Sequence, residues 1–244
     1  VVPEKKYFPV YVAVDTEGTL YAADPNDRVV KKYINGEFKV FSGTLAEDNG
    51  GYTDGLPTEV KFSHNITAAI FDKRNQLYVL DDKRIRRMGV DGSATTVLDL
   101  SNACSGINDQ PAQNPRCRFD NLAVDDSGNF LLEEKGTYGI GYRPYSVLRQ
   151  FTVDGRSSVV AGKAPTAAWA DGDADTARFS NPGELAISPS GTIHVWDASN
   201  GVIRTISEAG QTSTWGVPEK QSDLSGLVHL VIHNSPEPQA PERT

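Results

Sequence analysis

The sequence predicts an all-β fold assembled from four-stranded antiparallel sheets. Short apolar stretches are separated by Gly, Asp and Asn turns, no long stretch shows helical periodicity, and one strand–turn–strand signature occurs four times. Many short strands admit a sandwich, a barrel or a propeller. The internal repetition selects a β-propeller of four blades.

The first element of each unit is a pair of strands joined by a tight acidic turn: Val12 to Asp24, Ala69 to Asp81, Leu122 to Leu132 and Leu185 to Asp197. Gly18, Asn75, Gly128 and Gly191 fall where such a turn needs a positive φ. A strand mixing apolar and cationic residues follows: Val30-Lys31-Lys32-Tyr33, Ile85-Arg86-Arg87-Met88, Leu148-Arg149-Gln150-Phe151 and Ile203-Arg204-Thr205-Ile206. A second turn (Asn35-Gly36, Asp91-Gly92, Asp154-Gly155, Ala209-Gly210) leads to a fourth strand such as Ser157–Gly162, which closes the unit. The links also repeat. Tyr52-Thr53-Asp54-Gly55 before Val60-Lys61-Phe62-Ser63 matches Trp169-Ala170-Asp171-Gly172 before Ala177-Arg178-Phe179-Ser180, and Arg118-Phe119-Asp120-Asn121 repeats the last part. Tyr52 and Trp169, at matching positions, are expected to pack between blades. Taken on Asp15, Asp72, Asp125 and Ser188, the units are longer than the ~40–50 residues of common blades, which leaves room for long connections.

This order of residues, clearest from Asp171 to Trp215, resembles the NHL repeat over nearly the whole chain. The resemblance implies a propeller, usually of six blades, whereas four complete NHL-like blades are found here. The link after the second unit lacks the Asp-Gly and has Pro111 there, and the third unit has Glu133-Glu134 where an Asp-capped turn is usual. Leu224–Ile232 aligns with Phe179–Ile187 as a spare innermost strand. The ring therefore either closes with four blades plus that strand or is part of a larger propeller. The expected division is a propeller over 1–233 and a Pro-rich tail or linker over 234–244, beyond which further domains or an anchor would lie.

Propeller topology turns these lengths into a functional expectation. Innermost strands begin at one rim, where the second-to-third and blade-to-blade connections also lie. Nearly every long segment is of that kind: 43–58, 101–116, 134–146 and 162–176. Extra length confined to one side of a scaffold marks an interaction surface. Within 134–146, Tyr138, Tyr142, Arg143 and Tyr145 stand among three glycines and are the expected contacts, aromatic area on a flexible support. An insertion packing on its own aromatics is the alternative.

Net charge is -8, which disfavours phosphate gripping, and the basic run Lys83, Arg84, Arg86, Arg87 is expected to be a solvated strand edge. Cys104 and Cys117 are expected to form a disulfide that restrains one long loop, hence an oxidising compartment. Asn65-Ile66-Thr67 is a glycosylation sequon. No apolar run is long enough to cross a bilayer, and the first residues show neither an initiator Met nor a signal core, as in a processed or excised chain. The four histidines, His64, His194, His229 and His233, do not form a recognisable ligand set. The alternating carboxylates Asp171, Asp173 and Asp175 lack the rest of a calcium loop and read as a turn. No nucleophile elbow, phosphate loop or dinucleotide fingerprint is present.

The expectation is thus an extracellular or surface-displayed binding module for a protein or glycan, not an enzyme, with no cofactor, no nucleic-acid partner and no membrane insertion. The alternatives are a metal-dependent propeller lyase or hydrolase, and an RNA-binding propeller of the NHL type.

Overall fold

A computed structural model describes residues 10–45, 51–104, 117–138, 143–162 and 168–216. It is a four-blade β-propeller in which every blade is one antiparallel sheet with strands in sequence order. The first blade comprises β1 (Tyr11–Val14), β2 (Leu20–Asp24), β3 (Val29–Ile34) and β4 (Glu37–Ser42). The second comprises β5 (Ile66–Phe71), β6 (Leu77–Asp81), β7 (Arg84–Met88) and β8 (Ala94–Asp99). β9 (Cys117–Val124), β10 (Phe130–Tyr138), β11 (Arg143–Phe151) and β12 (Ser157–Ala161) form the third. β13 (Pro182–Ile187), β14 (Ile193–Asp197), β15 (Val202–Ile206) and β16 (Thr212–Gly216) form the fourth. The spare strand and the Pro-rich tail lie outside the described residues.

The tight turns form as their residues dictate. Asp15 Oδ1 accepts from the backbone N–H of Glu17 and Thr19, Asp72 Oδ1 from those of Arg74 and Gln76, and Ser188 Oγ from that of Thr192. The expected positive φ is present at Gly18 (81°) and, on a side chain that tolerates it, at Asn75 (60°). All turns of this kind, 15–19, 72–76, 125–129 and 188–192, gather on what we call the narrow rim. The ends of β4, β8 and β12 and the starts of β5, β9 and β13, which the long connections join, lie at the opposite, broad rim. Residues 134–138 and 143–146, expected within a loop, are strand, however. β10 and β11 continue pairing to Tyr138↔Arg143, a long hairpin that projects from the broad rim.

Three apolar clusters fill the seams. Tyr21, Ala23 and Val30 pack against Phe62, Leu77, Val79 and Met88 of the next blade. Leu80 and Ile85 pack against Phe119, Phe130 and Phe151, and Leu131 and Leu148 against Phe179, Leu185 and Val195. Each fully buried phenylalanine here stabilises the fold by about 1.5–3 kcal/mol. Among the described residues no such cluster joins the fourth blade to the first, and Val12, Val14, Phe38 and Val40 on that side of the first blade remain exposed.

Beneath the seams each blade carries a repeated ion pair, between the last acid of its second strand and a cation of its third. The pairs are Asp24–Lys31 at 2.8 Å, Asp81–Arg86 at 3.2 Å, Glu134–Arg149 at 2.9 Å and Asp197–Arg204 at 3.2 Å. Arg86, expected on a solvated edge, is therefore wholly buried, while its neighbour Arg87 is exposed. Arg84 stacks on Tyr52, 3.3 Å from the ring centroid, and Trp169 donates through Nε1 to Thr214 Oγ1. Tyr52 and Trp169 thus cover the outer part of one blade each and stay about half exposed, at 47% and 55%.

Candidate functional site

The broad rim surrounds the start of the innermost strands β1, β5, β9 and β13, and three of these bring ionisable groups together. The Tyr11 hydroxyl of β1 is held above its ordinary pKa by burial, by the carboxylates of Asp120 (β9) and Glu184 (β13), and against the opposing charge of Arg118 (β9). Arg118 Nε donates to Asp120 Oδ2 at 2.9 Å, and its side chain is 63% exposed. Lys135 of β10 reaches the same carboxylate at 3.6 Å and Glu133 at 2.8 Å. A mixed-sign mouth results, open through Arg118 and walled by Asp120 and Lys135.

Below it lies Glu133, whose side chain is wholly buried. It accepts from Ser146 Oγ at 2.6 Å and from the Asn121 side-chain amide at 3.0 Å. Burial pushes its carboxyl up to about 7, against the pull of Lys135 and Ser146. In the repeat this position corresponds to Ala23, Leu80 and Trp196, so a carboxylate here is particular to the third blade. The next residue, Glu134, points to the other sheet face. It occupies the slot filled elsewhere by Asp24, Asp81 and Asp197, and accepts from the Tyr145 hydroxyl at 2.6 Å and from Arg149.

The residues expected to make partner contacts are therefore placed differently from one another. Tyr138 ends β10 and Arg143 begins β11, so both lie at the broad-rim end of the hairpin; Tyr142 lies outside the described residues. Tyr145 is buried, at 6% exposure, and its hydroxyl orients Glu134 from within the sheet. A side chain so placed braces the hairpin and is not available as a surface contact. The disulfide between Cys104 and Cys117 is present, with Cα atoms 5.7 Å apart, and ties the second connection to the first residue of β9. Asn65 is exposed on the same rim, its amide donating to Asp82.

Arg118, Asp120, Glu184 and Tyr11 were not among the sequence-derived contacts. Their repeat positions start the innermost strands, which was the available signal, but their residue types differ from blade to blade. His64 is exposed and His194 packs edge-on to Trp215, while His229 and His233 lie outside the described residues. Asp171 holds Arg204 and Asp173 caps its own turn, accepting from Asp175 and Thr176, as a turn requires. Among the described residues no group of three or more His, Cys, Asp or Glu could hold a metal ion, and no helix is long and apolar enough to cross a membrane.

No family model and no curated protein matches the sequence. Solved structures do match. One is a catalytically inactive virginiamycin B lyase from Staphylococcus aureus with quinupristin, at 11% identity and TM-score 0.50, covering 91% of this chain and 59% of that one. Another is an auxiliary nutrient binding protein from Bacteroides ovatus, at 12% identity and TM-score 0.49, covering 84% of this chain and 46% of that one. A third is a gluconolactonase from Xanthomonas campestris, at 11% identity and TM-score 0.42, covering 84% and 74%. This chain thus spans about three-fifths of the length of the lyase it resembles. At such identities the likeness establishes the β-propeller fold alone. It also corrects one expectation: a protein named as a lyase shares this architecture, so the reading of the chain as a non-enzyme does not stand.

Proposed function

We propose that this propeller, of NHL type, is an extracellular or surface-displayed recognition module that engages a protein or glycan at the broad rim, around the mouth formed by Arg118, Asp120 and Lys135. One observation carries the reading: the strand ends joined by the long connections, the projecting hairpin and the open mixed-charge cluster share that rim, while every strand-to-strand turn on the narrow rim is tight. The Cys104–Cys117 disulfide supports an oxidising compartment, and exposed Asn65 would there be accessible for glycan addition. Arg118 offers an exposed guanidinium for carboxylate or hydroxyl recognition, and Tyr138 and Arg143, at the rim end of the hairpin, are read as further contacts.

The test is binding of the intact chain to arrayed glycans and secreted proteins, compared with Arg118→Ala and with the pair Tyr138→Ala and Arg143→Ala. Loss of at least about tenfold in affinity, with unfolding midpoints unchanged, is expected. Binding that survives all three substitutions would remove the broad rim from consideration.

A second reading, a propeller enzyme, is favoured by the Glu133 carboxyl poised near neutrality. Being buried, Glu133 would serve as a positioning group behind Lys135 and Asp120. The distinguishing measurement is the pH profile of turnover on a panel of lactones, where Glu133→Gln should abolish an inflection near 7. An unchanged profile rejects that role.

A further inference from the structure

The narrow rim differs at one seam. The turns of the first and second blades are latched by the Thr16 N–H donating to Asn75 Oδ1 at 2.8 Å, and those of the second and third by Lys73 Nζ donating to Asp126 Oδ2 at 2.7 Å. Among the described residues, no hydrogen bond or ion pair joins the turns 125–129 and 188–192. The residues explain why. The position equivalent to Asn75 is Gly191 in the fourth blade, and the position equivalent to Asp126 is Pro189. Neither has a polar side chain, and proline has no N–H to give.

The unlatched seam opens into a cleft of about 520 Å³, within the range of small-ligand sites. Its lining includes apolar Leu131 and Ile193, the hydroxyl-bearing Ser158 and Ser188, and the carboxylates Asp125, Asp126 and Glu208. Among the described residues, no lysine, arginine or histidine lines it. Asp126 already shares charge with Lys73, and Asp125 accepts from the side-chain amides of Asn129 and Gln150, so Glu208 is the main anchor available to a cation. Its carboxylate lies over Gly191, where an added Cβ would come within 2.5 Å of Oε1.

We propose that this cleft is a second binding site, separate from the broad rim, for a small hydroxylated ammonium compound, of which an amino sugar is the simplest representative. The carboxylates select a positive charge and repel anions, the serines pair with hydroxyl groups, and the apolar side chains receive a ring face. Anions of the same size and shape gain nothing from such a lining.

The test uses the intact chain and three probes of matched size, glucosamine, glucose and glucuronic acid, titrated by calorimetry at low ionic strength, where exposed charges are least screened. Saturable glucosamine binding is expected, at least about tenfold tighter than glucose, with none for glucuronic acid. Glu208→Gln should weaken glucosamine by about tenfold, and Ser158→Trp, which fills the cleft, should abolish binding while the circular dichroism spectrum is retained. Arg118→Ala on the broad rim should leave it unchanged, so this site and the proposed recognition surface fail independently. The proposal is overturned if glucosamine and glucuronic acid bind equally, if neither shows saturation, or if Glu208→Gln has no effect.

Discussion

The second and fourth blades hold their buried arginines in matching sockets, and the third blade holds its own in a different one. Arg86 donates to the carbonyls of Lys61 and Thr53, to Asp81 and to Asp54, over the ring of Phe62. Arg204 donates to the carbonyls of Arg178 and Ala170, to Asp197 and to Asp171, over the ring of Phe179. Asp54 and Asp171 are in turn fixed by Thr96 and Thr214 of the outer strands. The repeated Asp-Gly links and the repeated Phe-Ser are therefore parts of one device, a socket that stitches each link onto its blade.

In the third blade the link lacks Asp-Gly. Arg149 instead reaches the carbonyl of Ala103 at 2.5 Å, beside Cys104, and pairs with Glu134. The disulfide anchors the link that the missing Asp-Gly would otherwise have held. This blade is also where the chain departs from its repeat on the surface, with Glu133, Arg118 and Asp120 at the mouth. The difference teaches that relief from one structural rule has been accompanied by new polar groups close to the axis.

Removing the guanidinium breaks this comparison most severely. Arg86→Ala or Arg204→Ala leaves Asp81 or Asp197 buried without its cation, and each is expected to cost about 3–5 kcal/mol in urea unfolding. Lys31→Ala in the first blade, where Lys31 is 22% exposed, should cost only about 1–2 kcal/mol. Equal losses would show that the sockets contribute no more than a surface pair.

Glu133 sharpens the contrast through pH. Its folded carboxyl near 7 lies above the ordinary 4.5, so the folded protein keeps a proton that the unfolded chain releases. Stability from this group is fully present below about 4.5, falls as pH rises towards about 7, and is level above that, by up to about 3 kcal/mol. Glu133→Gln should flatten this decline when unfolding midpoints are compared at acidic and mildly alkaline pH. An equally steep decline in the variant would assign it to other groups.

The smallest effect is expected at the outer partners of the sockets. Asp54 and Asp171 are 39% and 49% exposed, so Asp54→Asn or Asp171→Asn should cost about 1 kcal/mol or less. A loss as large as that of the arginines would mean that the links, not the buried pairs, dominate.

Sequence alone determined the four-stranded units, their tight turns and positive-φ residues, the rim that receives the long connections, and the pairing of the two cysteines. These depend on a few consecutive residues or on repetition, which is visible in one dimension. Tertiary structure alone decided that Arg86 is buried while Arg87 beside it is exposed, since the socket is completed by Thr53, Asp54 and Lys61 from the preceding link. It also decided that residues 134–138 pair with 143–147 and bury Tyr145, and that Arg118, Asp120 and Glu184 act on Tyr11. The co-occurrence of Asp-Gly links with arginine in the second and fourth units was the one sequence signal for the sockets. Desolvation and long-range pairing are set by which surfaces meet across a seam, and no local pattern encodes that meeting.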